Sequence, residues 1–154
     1  MDEATQLVVF ALDEQQYALR LAAVDRIVRA VEVTPLPKAP QIVLGVIDVQ
    51  GRIIPVVDVR KRFRLPERPV DPSHHFIIAH TPRRTVALVV DAVSGVVECP
   101  AAEVQAAGEI LPGLEYTDGV LRLADGIALI HDLDRFLSLD EEQALDAALV
   151  GPGA

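Results

Sequence analysis

Apolar and polar positions alternate in short runs along most of this chain, and glycines and prolines punctuate them. The segment Gly45–Val59, GVIDVQGRIIPVVDV, carries the pattern most clearly: two apolar runs, Val46–Val49 and Ile53–Val57, flank Gln50-Gly51-Arg52. Gly51 can take the positive φ of a tight reversal, so a β-hairpin is predicted. Pro55 has no N–H to give a ladder, which places its strand at an edge or beside an irregularity. Strands are also predicted at Leu7–Leu12, Tyr17–Leu21, Phe76–Ala79, Thr85–Val90 and Val93–Glu98, with an extended run over Arg26–Val33 and a second hairpin over Val120–His131. Short helices are predicted at Leu21–Asp25 (one turn), Ala39–Leu44, Val59–Leu65 and Asp132–Leu137. Ser138 and Glu141 have the spacing of a capping box, opening a final helix to about Leu149. Its apolar stripe is Leu145, Ala148 and Leu149, with Glu141, Glu142 and Asp146 facing water. Cys99–Tyr116 reads as a long loop with some helical turns, and Gly151–Ala154 as a frayed end.

The hairpin pattern occurs twice. Gly119–Leu133 can be laid on Gly45–Val59 without a gap, so that Gly45 falls on Gly119, Val46 on Val120, Ile53 on Ile127 and Asp58 on Asp132. Upstream, Tyr17–Val28 lies over Val86–Val97, with Ala18, Leu19, Ala23, Val24 and Val28 repeated as Ala87, Leu88, Ala92, Val93 and Val97. Two matching blocks in the same order indicate one supersecondary unit present twice. Pro66, Pro69 and Pro72 form a stiff connection that is the expected boundary between approximate halves, 7–68 and 73–149, of one domain over 1–154, with strand or helix exchange between the halves left open.

Composition narrows the class. The chain has 154 residues, 51% of them hydrophobic but only 4% aromatic and none Trp, so its core is built of Val, Leu, Ile and Ala. Many Val and Ile in runs broken by 11 Pro and 9 Gly argue for a β-rich fold. No uncharged run approaches the roughly 18–20 residues of a membrane helix. The acidic, polar start MDEATQ does not resemble a signal peptide, and a single Cys99 excludes an internal disulfide, so a cytoplasmic location is expected. Residues 1–90 hold 12 Lys/Arg against 10 Asp/Glu, while residues 91–154 hold 2 against 13, so the charge of −9 lies in the second half.

Candidate chemistry is sparse. His74, His75, His80 and His131 lack metal-ligand spacing, and Cys99 has no CxxC or nearby His partner. Asp48, Asp58, Asp91 and Asp132 stand at strand ends or turns, where Asp commonly accepts from backbone N–H groups. The glycines form no phosphate-cradling loop. Arg60, Lys61, Arg62, Arg64 and Arg68 make one basic cluster, read as a solvated helix face ahead of a protein contact. Without an aromatic platform beyond Phe63, and within an acidic whole, it does not suggest nucleic acid. A compact β protein without catalytic machinery points to binding as its task, with no enzyme activity, cofactor or metal expected.

The residues LVVFALDEQQYALRL, VDRIV, TPLPKAPQIVLGVIDVQGRIIPVVDVRKRF, HFIIAH and VALVVDAVSGVV resemble the CheW-like chemotaxis adaptor family, over about Leu7 to Leu149. The Pro37/Pro40 entry, the central hairpin with P-V-V-D, and V-V-D-A-V-S-G-V carry the likeness. The resemblance implies a mainly β fold: two packed five-stranded SH3-like β-barrels with short helices and a C-terminal helix. It implies a non-enzymatic scaffold linking the cytoplasmic tip of methyl-accepting chemoreceptors to the regulatory domain of a CheA-type histidine kinase, without membrane insertion, at receptor arrays of the inner membrane. A pathway serving pilus motility or development is the alternative. Two positions depart from the family pattern. Its N-L-R-G is Asp48-Val49-Gln50-Gly51 here, which replaces a guanidinium by an amide, and the acidic residue of its V-x-E-I is Arg26. Val24, Arg26, Ile47, Gln50, Gly51 and Arg52 are the expected contact region, with Arg52 standing in for the lost positive charge.

Overall fold

The computed structural model describes residues 4–100, 104–106, 117–123, 126–131, 133 and 137–150. The strands are β1 (Ala4–Leu12), β2 (Gln15–Arg20), β3 (Val24–Arg29), β4 (Val43–Val49), β5 (Arg52–Val57), β6 (His75–His80), β7 (Thr85–Val90), β8 (Ala92–Pro100), β9 (Val104–Ala106), β10 (Thr117–Leu123) and β11 (Gly126–His131). A 3-10 turn covers Leu21–Ala23, and the helices are α1 (Val59–Arg62) and α2 (Leu139–Val150). The expected loop beyond Pro100 (β9 excepted), most of the Asp132–Leu137 helix with Asp132 itself, and the frayed Gly151–Ala154 lie outside the described residues.

Two sheets form. One, the lower sheet, has the order β3-β6-β7-β5-β4, and the other, the upper sheet, β8-β1-β2-β11-β10-β9. They do not divide at Pro66–Pro72. The hairpin β6–β7 joins β3, β4 and β5, while β1–β2 joins β8, β10 and β11, so each half of the chain lends its first hairpin to the other's sheet.

This exchange preserves the repeat residue by residue. Val56 pairs with Ala87 in parallel, and the equivalent pair is Ile130 with Ala18. Val24 opposes Ala79 as Val93 opposes Phe10. The bulges coincide too. Asp25 is the extra residue in β3 and Ser94 in β8, Leu44 in β4 and Asp118 in β10. A bulge shifts every later side chain, so coincident bulges mean that the two units present the same faces. The three-residue ladder of β9 on β10 has its counterpart in a single bridge, Thr34 to Val46.

The cores follow the same rule. Leu7, Val9, Ala18, Leu121, Ala128 and Ile130 form one inner cluster, and Phe76, Ile78, Ala87, Ile47, Ile54 and Val56 form the other, position for position. A face that packs only on side chains of its own sheet must curl over them, yet β3 and β4 are joined by no ladder among the described residues. The barrels are therefore open rather than closed. Neighbouring positions on the same strands point the other way and meet between the sheets: Phe10, Leu12, Tyr17 and Leu19 from one, Ile77, Ala79, Leu88 and Val90 from the other. Period-two alternation thus builds three cores from two sheets.

Several local expectations give way to packing. Ala39–Leu44 is not a helix: Pro37 and Pro40 give no N–H, two turns form (Ala39 N–H to Leu36 O, Val43 N–H to Pro40 O), and Val43 enters the ladder opposite Val57. The extended run after Arg26 leaves the sheet at Arg29. In α2 the capping box forms, with Glu141 N–H on Ser138 Oγ at 3.1 Å and Ser138 N–H on the Glu141 carboxylate at 2.8 Å. Leu145 is wholly buried, but Leu149 is exposed, and Glu142 is buried against Arg84 rather than facing water. Arg84 also holds Asp146, and Arg62 holds Glu141, so two arginines fasten α2, one to the β6–β7 turn of the lower sheet and one to α1.

Candidate functional site

The central hairpin turns on two residues with positive φ, Gln50 at 51° and Gly51 at 85°. These are the angles of a type I′ turn, whose twist matches that of the flanking strands. Asp48 Oδ1 accepts the Gly51 N–H at 2.8 Å and fixes the loop. Val49 and Arg52 pair directly, so the reversal takes two residues, not three, and Arg52 begins β5.

From there a polar chain runs across the end of the lower sheet. Arg52 Nη2 donates to Thr85 Oγ1 at 3.2 Å. Thr85 pairs with His80 across the β6–β7 turn, and His80 Nδ1 lies 2.7 Å from Asp25 Oδ1. Asp25 is the bulge residue of β3, set between Val24 and Arg26. The structure therefore brings Val24–Arg26 and Gln50–Arg52, far apart in sequence, to one end of one sheet. Arg26, Gln50, Gly51 and Arg52 are exposed and Val24 partly so. Ile47 does not belong to this surface. At 3% exposure its side chain lies in the lower inner core, on the face of β4 opposite to its polar neighbour Asp48.

Sequence reading missed Ile53, which at 60% exposure is the most prominent apolar side chain beside Arg52. Its repeat equivalent Ile127 is also outward, at 45%. Asp25, His80 and Thr85 had no signal in the sequence, since their spacing becomes meaningful only once the strands pair.

The basic cluster at 60–68 is a solvated face only in part: Arg64 and Arg68 are exposed, but Arg60 and Arg62 turn inward. Arg60 is 5% exposed, and its guanidinium donates to Asp13 at 3.0 Å and Asp91 at 2.6 Å. Asp91 also accepts the Asp13 N–H at 2.7 Å. The Arg60 hydrogen bond holds the Asp13 carboxyl below its ordinary range. Asp13 lies in the β1–β2 turn and Asp91 between β7 and β8, so this cluster ties the exchanged hairpins to each other. Asp48 and Asp58 accept backbone N–H groups as expected of turn and cap residues, Asp58 from Lys61 at 3.3 Å. Among the described residues no group of His, Cys, Asp and Glu is arranged to hold a metal. His131 occupies the position equivalent to Val57, stacked edge-on against Phe63 at 5.1 Å, and burial, aided by Arg62, lowers its pKa to about 3. It is a neutral core residue at physiological pH.

The family model described as "CheW-like domain" matches residues 6–141. The chain is 29% identical to the chemotaxis protein CheW of Treponema pallidum over 94% of its own length and 88% of that protein's. It is 30% identical to the CheW of Rhizobium meliloti over 90% of this chain and 91% of the relative. A solved structure, the scaffolding protein TtCheW of Thermoanaerobacter tengcongensis, superposes with a TM-score of 0.81 at 27% identity, covering 92% of this chain and 96% of that one. The likeness extends over both sheets, and with it the pair of SH3-like units.

Proposed function

Because the chain belongs to the CheW-like domain family, a family of chemotaxis scaffolds, we propose that it couples methyl-accepting chemoreceptors to the regulatory domain of a CheA-type histidine kinase, without a catalytic step of its own. The observation that carries this reading is the gathering of Val24, Arg26, Gln50, Gly51 and Arg52 at one exposed end of the lower sheet, beside Ile53. An exposed apolar side chain ringed by polar and charged groups has the composition of a contact centre with its rim. Ile47 serves this surface from beneath, by fixing β4 against the inner core. Among the described residues no helix is long and apolar enough to cross a membrane, so on this reading the chain reaches the inner-membrane arrays through its receptors. A scaffold that binds at two places raises local kinase concentration, and modest affinities then suffice.

Arg26 and Gln50 tune partner choice in this proposal, with Arg52 supplying the guanidinium that Gln50 lacks. Calorimetric titration with the CheA-type regulatory domain and with a receptor tip fragment from the same genome tests it. Saturable binding is expected, with Arg26→Glu and Gln50→Arg shifting affinity by about tenfold in at least one titration. Absence of binding to both partners would overturn the coupling role, and unchanged affinities in both variants would remove these two residues from it.

A further inference from the structure

We infer that a groove at the opposite end of the lower sheet docks an extended peptide segment of a partner, one bearing apolar side chains and a Lys or Arg. The groove has a volume of about 500 Å³ and runs between Ala30–Val33 and Val70–Pro72, with Leu44 between them. It lies far from Gln50 and Arg52, because Ala30 N–H bonds to His74 O, beyond the other end of β6.

Three observations identify the occupant. Ala30, Val33, Leu44 and Val70 pack against the lower inner core, so the floor is apolar, while Val31 stands half exposed at its edge. The charged lining groups are Glu32 and Asp71, and Asp71 is already fixed as an acceptor by the Ser73 N–H at 2.8 Å. An apolar floor with an acidic rim complements an apolar segment carrying a cation. The main chain supplies the third observation. Among the described residues Val31, Glu32 and Val33 make no backbone hydrogen bond, and this stretch next pairs at Thr34 with Val46. In the upper sheet the positions equivalent to Val33–Pro35 form β9, which pairs with β10 over three residues where this stretch pairs at one. Apolar pockets beside unused main-chain donors and acceptors suit an extended strand better than a helix, whose own backbone is already bonded.

Selection of a phage-displayed random heptapeptide library on the immobilised full chain, followed by NMR titration of the enriched peptides, tests the inference. Enrichment of peptides with alternate apolar residues and a Lys or Arg is expected, with amide shifts centred on 30–33, 44, 70 and 71. Val31→Lys and Glu32→Lys, both at exposed positions, should weaken these peptides by about tenfold, whereas Arg52→Ala should leave them unchanged. The inference is overturned by a selection without enrichment, or by peptides that bind the two groove variants as tightly as the parent. Shifts at 31–33 that depend on protein concentration alone would also overturn it, in favour of self-association.

Discussion

The two ends that face alike in the two sheets are built on one skeleton and decorated differently. In the lower sheet the end carries Asp25, Arg26, His80, Thr85 and Arg52. The repeat-equivalent positions of the upper sheet hold Ser94, Gly95, Ala11, Gln16 and Gly126. The bulge is retained and its charge is lost. Meanwhile the six positions of each inner core remain apolar in both units. Packing therefore constrains the interior equally, while the rims are free to diverge. That contrast supports placing partner recognition at the lower end, where chemistry has been added to a shared frame.

The contrast can be broken most severely at glycines. A Cβ at Gly45, where φ is +155°, would lie 2.2 Å from the Thr34 carbonyl oxygen. Gly45→Ala is expected to cost about 3–4 kcal/mol, from backbone overlap added to strain. Gly95 has φ +136° but open space around it, so Gly95→Ala should cost only about 1 kcal/mol. Urea melts of the pair measure the difference. Equal losses would show that strain, not the approach of Thr34, dominates.

Arg60 comes next. Arg60→Ala leaves Asp13 and Asp91 with only the exposed Arg68 as their shared cation, 3.8 and 3.9 Å away, and should lower stability by about 2–3 kcal/mol, discounted because Asp13 is partly exposed. Arg60→Met, which keeps the buried stem, should lose less when Asp13→Asn and Asp91→Asn accompany it than when made alone. The Asp13 carboxyl titrates below its unfolded value, so its contribution is present above that value and fades as pH falls through the folded one.

His131 gives a pH-dependent term absent from its counterpart Val57. The folded protein keeps it neutral down to about pH 3, whereas the unfolded chain protonates it near its ordinary value of 6.5. Stability should therefore fall with acidification through that window, by about 2 kcal/mol between pH 7 and pH 5. His131→Val copies the first unit and should flatten this part of the pH profile. An unchanged slope would mean that another group governs it. The smallest effect belongs to the central turn, where Gln50→Asn should stabilise by roughly 0.5 kcal/mol because Asn accepts positive φ more readily.

Much of this architecture was legible in the sequence, because strands, hairpins and the repeat are local patterns. Laying Gly45 on Gly119 identified equivalent positions that the ladders then reproduce. The partner sheet of each hairpin was not legible. β1–β2 and β6–β7 share one inward–outward pattern, so either sheet would accept either hairpin. Arg60 read as solvated because its anions, Asp13 and Asp91, are distant in sequence and reach it only across the sheet junction. At the candidate site, Gln50, Gly51 and Arg52 were found from the turn itself. Ile47 was misplaced because a motif names neighbours without saying which face each one takes.

The reciprocal exchange of hairpins has a consequence for how the chain acquires its structure. Neither sheet can be completed from one half of the sequence, since the lower needs β6–β7 and the upper needs β1–β2. During synthesis β1–β2 must wait, edges uncovered, until β8–β11 have been made. The two units should then assemble in one cooperative step dominated by distant pairings, slower than either small barrel would manage alone. A break in the Pro66–Pro72 connection would yield two fragments that each lack a central hairpin, and that regain order only by finding each other.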